Sequence, residues 1–374
     1  MRRTTRWRRR LLWTLAVVVV LAVAAVGGAG WYYSGLVIDP VHTSGYPLEV
    51  TAVSGDQVTI KGGADTATPG TYGLTWADGN ALVGQVIAAG AGTVTRKVTE
   101  VVHGELRPGV HAYLDRWLWG HATPAAAGVP YTDVKIPSPL GDFPGWRTEG
   151  TSTTWVIAVH GRNGGPAEAL RVLPVFHSLG MPVLGITYRN DEGAPASSDG
   201  RFHLGATEWQ DVAAAITYAK SQGATGIVLY GWSMGGGIVP MAVRNLPGEP
   251  ITAMILDSPV IDWRAPIALG AEQMGVPGFL VSVGEWVIER RTGVSFDDID
   301  HLRHAREFKI PTLVFVDDDD ATVPTGPALR FAEARPDIVR LVRTSGGGHT
   351  GSWNADSGRY EREVKEFVTS TGSG

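Results

Sequence analysis

Ile227-Val228-Leu229-Tyr230-Gly231-Trp232-Ser233-Met234-Gly235-Gly236-Gly237-Ile238-Val239 passes within a few residues from an apolar, β-rich run to a stretch of small and apolar residues suited to a buried helix. A Gly-x-Ser-x-Gly at such a strand-to-helix junction is the signature of a nucleophile elbow. The turn is tight enough to hold the serine in a strained backbone conformation. Only glycine fits two positions before and two after it, and Oγ is left projecting toward a substrate. In a chain with 49 glycines the pentapeptide alone would carry little weight. Its strand-helix context makes Ser233 a candidate nucleophile.

A serine nucleophile needs a base, and the base needs an acid to orient it. Downstream, Pro311 to Val316 reads as a buried strand that runs into Asp317-Asp318-Asp319-Asp320-Ala321-Thr322-Val323-Pro324. A later strand-like run, Ile338 to Val342, leads into Ser345-Gly346-Gly347-Gly348-His349-Thr350. Ser233, Asp320 and His349 therefore follow one another at intervals of 87 and 29 residues, in the chain order of one group of serine enzymes and not of the chymotrypsin or subtilisin arrangements. Upstream, the strand Trp155 to Val159 ends in His160-Gly161-Arg162, where a second oxyanion-binding amide would lie.

From about Tyr131 to the C-terminus the chain resembles an α/β-hydrolase of the exported or membrane-anchored type common in high-GC Gram-positive bacteria. The matching residues are His160-Gly161-Arg162, Tyr188-Arg189-Asn190-Asp191, the elbow, Asp320-Ala321-Thr322-Val323-Pro324 and His349 to Asn354. The resemblance implies Ser233 as nucleophile, His349 as base and Asp320 as acid, with the backbone amides of Arg162 and Met234 as the oxyanion hole. It implies no metal and no organic cofactor. One departure is the sequence Val316-Asp317 where relatives often carry His-Gly, so that four aspartates run together. The Asp-x-x-Val-Pro spacing selects Asp320, with Asp318 the second choice. A solvated loop or a weak Ca²⁺ site is the other reading of the run, since hard cations favour carboxylate oxygen. His160 is expected to shape the oxyanion loop, and Arg162 and Arg189 either to brace loops or to meet an anionic substrate.

The first ten residues hold six arginines, and the run Leu11–Tyr33 that follows carries no charge. Its 23 residues suffice to cross ~30 Å of hydrocarbon. The arginines predict a cytoplasmic N-terminus, with Trp31-Tyr32-Tyr33 at the outer interface. An uncleaved signal anchor fits this length. A cleaved signal peptide is the alternative, with Ala22-Val23-Ala24 or Gly27 to Gly30 as the small-residue site. Arg9-Arg10-Leu11-Leu12 is too poor a twin-arginine signal to assign a route. The chain has no cysteine, which suits an oxidising compartment. Outside the first ten residues 26 basic side chains face 37 acidic ones, a balance of −11 that argues against nucleic-acid binding.

Between membrane and catalytic part the pattern changes. Leu48–Val53 and Gln57–Ile60 flank Ser54-Gly55-Asp56 as one hairpin; Gly70–Trp76 and Ala81–Ile87 flank Ala77 to Asn80 as a second, and Val94–Val102 adds a further alternating run. The expected organisation is a basic terminus and membrane helix over 1–33, a small β-rich module over 34–129, and an α/β domain over 130–374. That domain should have a mostly parallel sheet covered by helices on both faces, with a helix over Leu204–Ser221. An insertion at about 258–310, carrying Trp263, Met274, Phe279, Leu280 and Trp286, is expected to cap the site. Tyr113, Trp117 and Trp119 either pack between the modules or touch substrate. The function these features imply is a serine hydrolase working through an acyl-enzyme, acting on a small-molecule or lipid-like carboxylic ester at the extracytoplasmic membrane face. A peptidase or envelope acyltransferase of the same fold is the alternative, and a catalytically silent scaffold the non-enzymatic one.

Overall fold

The computed structural model describes residues 2–42, 45–62, 64–120 and 122–371. An eight-stranded sheet forms its centre, in the order β14-β13-β12-β11-β9-β10-β8-β7. The strands are β7 (Tyr131–Ser138), β8 (Gly141–Thr148), β9 (Thr154–Val159), β10 (Val183–Ile186), β11 (Gly226–Trp232), β12 (Ile251–Asp257), β13 (Thr312–Asp317) and β14 (Val339–Thr344). Strands β9 to β14 pair in parallel, and β8 lies antiparallel to both β10 and β7. The middle strands are buried on both faces, which is why β11 and β13 read as unbroken apolar runs rather than alternating ones. Helices cover the two faces: α2 (Leu173–Ser178), α3 (Trp209–Ser221), α4 (Gly235–Asn245), α7 (Gly326–Ala334), α8 (Ser352–Ala355) and α9 (Ser357–Thr371), with α5 (Arg264–Gln273) and α6 (Gly278–Thr292) forming the insertion after β12.

The helix expected from Leu204 starts instead at Trp209. The buried Glu208 carboxylate accepts the amides of His203 at 2.6 Å and Gly205 at 2.9 Å, and so holds the preceding residues in turns. Local side-chain capture of backbone donors has overridden the helical periodicity there.

The second module is a closed barrel of six antiparallel strands, β1 (Leu48–Ser54), β2 (Gln57–Lys61), β3 (Tyr72–Trp76), β4 (Gly79–Gly90), β5 (Thr93–His103) and β6 (His111–Asp115). Both expected hairpins are present. Closure comes from β6, which pairs with β1 on one side and β3 on the other, so no edge is left open. Val50, Val58, Ile60, Leu74 and Val83 fill the interior. The barrel docks directly on the catalytic module: Asn354 donates to the carbonyls of Thr71 at 2.6 Å and Arg116 at 3.0 Å.

The N-terminal helix α1 (Arg2–Ile38) contains a stretch, Arg10–Ile38, with the length and apolarity of a membrane anchor or signal sequence; its most apolar window averages a hydropathy of 2.5 and none of it is buried. The helix does not end at Tyr33. It continues through Ile38, which is fully buried in the main core. Arg291 of α6 stacks 4.1 Å over the Trp31 ring, donates to Ser34 Oγ at 2.7 Å and pairs with Asp39 at 3.2 Å. The exit of the helix is thereby fastened to the insertion.

Candidate active site

Ser233 occupies the turn from β11 into α4 with φ +51, the left-handed conformation expected of an elbow. Its amide donates to the Asp257 carbonyl at 2.9 Å. The neighbouring glycines are required by space. A Cβ on Gly231 would collide with the Gly235 carbonyl, and one on Gly235 with the Val159 carbonyl. Holding a serine at positive φ costs of order 1–3 kcal/mol, which these contacts and the flanking strand must sustain.

His349 lies on the loop after β14. Its Nε2 is 2.8 Å from Ser233 Oγ and its Nδ1 is 2.8 Å from Asp320 Oδ2. The other Asp320 oxygen accepts the amides of Thr322 and Val323, each at 2.8 Å. Burial would raise the Asp320 carboxyl, but the imidazole and these amides outweigh it and leave it below the usual carboxylate range.

The other three aspartates are separated by the same loop. Asp317, fully buried, accepts from the amides of Gly347 and Gly348 and from the Thr344 hydroxyl, and so holds the glycine run that carries His349. Asp318 points outward and pairs with Arg343 at 2.8 Å. Asp319 accepts the Gly346 amide at 2.7 Å. The carboxylates are thus turned to different partners rather than converging on one point.

On the opposite side of Ser233 the β9 exit loop is tightly organised. His160 lies between two acceptors, with Nε2 2.9 Å from Asp191 and Nδ1 2.8 Å from the Gly161 carbonyl. Burial opposes its charge, yet Asp191 and the carbonyl raise the imidazole above its ordinary value. The Tyr188 ring stacks on it at 4.4 Å, and the Tyr188 hydroxyl donates to the Gly161 carbonyl at 3.0 Å. Glu168, also buried, accepts the Gly161 amide at 2.8 Å and the Trp117 indole N–H at 3.1 Å. Among the described residues the amides of Arg162 and Met234 meet no protein acceptor. The Arg162 guanidinium donates to the Leu36 carbonyl of α1 at 3.1 Å, and Arg189 forms a two-point pair with Asp211. Both arginines brace the fold.

Two cavities meet at Ser233. A polar one of about 250 Å³ lies toward the barrel, bounded by Tyr113, Arg116, Trp117, Arg162 and His349. An apolar one of about 220 Å³ lies toward the insertion, bounded by Trp263, Ile267 and Val323 together with Leu36 and Val37 of α1. Tyr113 and Trp117 therefore face the cleft, whereas Trp119 packs into the core. Glu168 and the end of α1 are the site residues that the sequence reading missed. Nothing local marks Glu168, because its partners lie 7 and 51 residues away. The run Leu36-Val37-Ile38 did continue the apolar pattern of α1 and could have flagged the longer helix.

A sheet of this order, with a serine on the β11–α4 elbow, defines a serine hydrolase of the α/β-hydrolase fold. The profile of the prolyl oligopeptidase family matches residues 172–371, more than half of the chain, and the chain belongs to that family. Residues 49–115, the barrel, match a domain of unknown function (DUF8805). Among solved structures, the esterase Pf2001 of Pyrococcus furiosus is similar at 21% identity over 67% of this chain and 95% of its own, with a TM-score of 0.56. Est1E of Butyrivibrio proteoclasticus, solved with ferulic acid, is similar at 18% identity over 64% of this chain and 100% of its own, with a TM-score of 0.52. Both share the fold. A search of curated proteins found no match.

Glu168→Gln tests the support of the β9 exit loop beside Ser233. A glutamine has one acceptor oxygen, so it cannot serve both the Gly161 amide and the Trp117 indole without presenting an NH₂ to a donor. The expected result is a fall in kcat of roughly tenfold to a hundredfold on a short ester with KM little changed, since small displacements of a catalytic group cost that much. Steady-state kinetics of the full chain check it, and a change confined to KM would contradict the role.

Asp257, at the end of β12, is fully buried, with Oδ2 accepting the Tyr360 hydroxyl at 2.8 Å and Oδ1 without a partner among the described residues. Burial pushes its carboxyl up to about 6. Because the folded state holds this proton more tightly, the contribution of Asp257 to stability falls as pH rises from about 4 to about 6 and then stays constant, a loss of about 3 kcal/mol. Asp257→Asn should remove that slope and raise the urea midpoint at pH 7.5, as read from unfolding curves at pH 4.5 and 7.5.

Proposed function

We propose that the chain is an ester hydrolase held in the cell membrane by α1, with its catalytic part on the extracytoplasmic side. Ser233 Oγ attacks the ester carbonyl carbon while His349 Nε2 takes its proton and Asp320 fixes the imidazole tautomer. The oxyanion accepts hydrogen bonds from the Arg162 and Met234 amides, each worth about 3 kcal/mol in systems where such a donor has been removed. Collapse breaks the bond to the alkoxy oxygen, which leaves as the alcohol with the proton from His349. A water then gives a proton to His349 as it attacks the acyl carbon, and collapse breaks the bond to Ser233 Oγ, which takes that proton back from His349 as the acid leaves. The arginine-rich start of the chain supports the orientation through the positive-inside rule.

The observation that carries this reading is the unbroken hydrogen-bonded chain from Asp320 through His349 to the Ser233 hydroxyl on a strained elbow. The family name brings a peptidase into consideration. Against it, Glu168 and Asp115, the carboxylates at the cleft, already accept N–H groups of Gly161, Trp117 and Gly120. The cavity on the other side of Ser233 is predominantly apolar in its lining residues, as suits an acyl chain.

The test uses the full chain in detergent micelles, a fluorophosphonate probe, and p-nitrophenyl esters alongside aminoacyl p-nitroanilides. Label is expected on the peptide containing Ser233, with ester turnover at least a hundredfold above amide turnover. A folded chain that takes no label would overturn the enzymatic reading, and faster amide turnover would favour the peptidase. Suppression of acid release by an added acceptor alcohol would identify an acyltransferase.

A further inference from the structure

A second apolar groove, of about 200 Å³, runs between α1 and the insertion helices α5 and α6. It shares Leu36, Val37, Pro266, Ile267 and Gly270 with the apolar cavity at Ser233, so the two adjoin as successive parts of an apolar trough. Its outer end is bounded by Tyr33 of α1 and by Leu280, Val281 and Gly284 of α6. Among the described residues no charged side chain lines it.

The direction of the trough is set by the packing of α6 on α1. Gly30 lies against Val283 and Val287, whereas Trp31, Ser34 and Asp39 meet Arg291, so the two helices run the same way. About 20 residues cross the hydrocarbon, which from Leu11 places its outer edge near Gly30. At 1.5 Å per residue, Phe279 sits about 6 Å further toward the membrane than Val283. Phe279 is 67% exposed, and Met274 and Trp286 are more than half exposed on the same insertion. Arg290 lies 5.4 Å over the Trp286 ring. Large exposed apolar side chains beside a tryptophan and an arginine are the composition of a surface that rests at a membrane interface.

We propose that this trough draws the acyl chain of a lipid ester out of the outer leaflet and delivers its carbonyl to Ser233. The inference rests on the ester-hydrolase reading of Ser233. The membrane helix is then a wall of the substrate site as well as an anchor. The chain enters beside Tyr33 and Val281, passes the small residue Gly270, and reaches Ser233 between Val37 and Ile267. The alcohol part of the lipid faces the polar cavity on the barrel side.

The experiment uses the full chain reconstituted in phosphatidylcholine vesicles. In one arm, Ser233→Ala is irradiated with a phosphatidylcholine whose acyl chain ends in a diazirine, and the cross-linked residues are found by mass spectrometry. Cross-links are expected on Ile267, Leu280 and Val281, and Gly284→Phe should reduce them at least fivefold. A Cβ on Gly284 meets nothing within 4 Å, so the phenyl ring fills the groove rather than the packed interior. In the other arm, the active chain is given a vesicle-held palmitoyl ester and soluble p-nitrophenyl acetate. Gly284→Phe should lower the ratio of palmitoyl to acetyl turnover at least tenfold, with Val281→Trp as an independent plug.

Cross-links confined to the lipid-facing part of α1, or an unchanged ratio in both plugged variants, would overturn the trough. So would groove cross-links to a second copy of the chain in place of lipid. Groove cross-links without hydrolysis of either ester would support the trough and sink the enzymatic reading, whereas hydrolysis of acetate with no groove cross-links would do the reverse.

Discussion

Replacing Ser233 by alanine is expected to abolish fluorophosphonate labelling and lower ester turnover by roughly 10⁴- to 10⁶-fold, the scale seen when the nucleophile of a serine enzyme is removed. The fold should survive. The Ser233 side chain contributes one hydrogen bond, to His349, at a site open to two cavities. The backbone strain at φ +51 is unchanged by alanine. Glycine relieves it, so Ser233→Gly should be equally inactive yet more stable, by up to about 1 kcal/mol. Thermal melting of the three proteins beside their kinetics makes the point measurable. A silent alanine variant with the wild-type melting temperature assigns the chemistry to this hydroxyl. Residual turnover above a hundredth of wild type would place the nucleophile elsewhere.

Asp320→Asn should cost roughly 10⁴-fold in kcat with little loss of stability. An asparagine can keep contact with His349 Nδ1, but its amide can impose the wrong tautomer, and it supplies no charge to stabilise the imidazolium. The neighbouring aspartates provide an internal comparison. Asp317→Asn removes the charged acceptor shared by Gly347, Gly348 and Thr344, so it should lower the melting temperature as well as activity. Asp318→Asn breaks an exposed pair with Arg343, worth at most about 1 kcal/mol, and should be close to silent. Kinetics and melting curves of the three variants separate an acid from a loop organiser and from a surface pair. An Asp318 variant with the larger kinetic defect would reverse the assignment of Asp320.

The sequence by itself determined those features that depend on neighbours in the chain. The elbow is legible because tight turns demand glycine at set offsets, and crowding of Gly231 and Gly235 against backbone carbonyls is the physical expression of that demand. The two hairpins of the barrel are legible through alternation and turn residues, the central strands β9, β11 and β13 through their apolar runs, and the apolar N-terminal helix through length and composition. Even the aspartate that meets His349 was legible, because Asp320 caps the turn that the Val323-Pro324 sequence ends, and two amides two and three residues later bind it.

Tertiary structure alone decided whatever depends on contacts between distant segments. Closure of the barrel by β6 requires pairing with β1 from the far end of the module. The hydrogen bond from Trp117 to Glu168, which in turn holds the Gly161 amide, joins the segment just after the barrel to the β9 exit loop across 51 residues. Leu36 and Val37 of α1 wall the cavity at Ser233 across about 200 positions of chain, and Arg291 is joined to Trp31 across 260. Periodicity and turn chemistry report the conformation of a segment, because they arise from backbone sterics within a few residues. Which segments share a cavity is set by how whole layers pack, and that is why α1 reads in sequence as an anchor or signal segment and in the fold also as a wall of the cavity at Ser233.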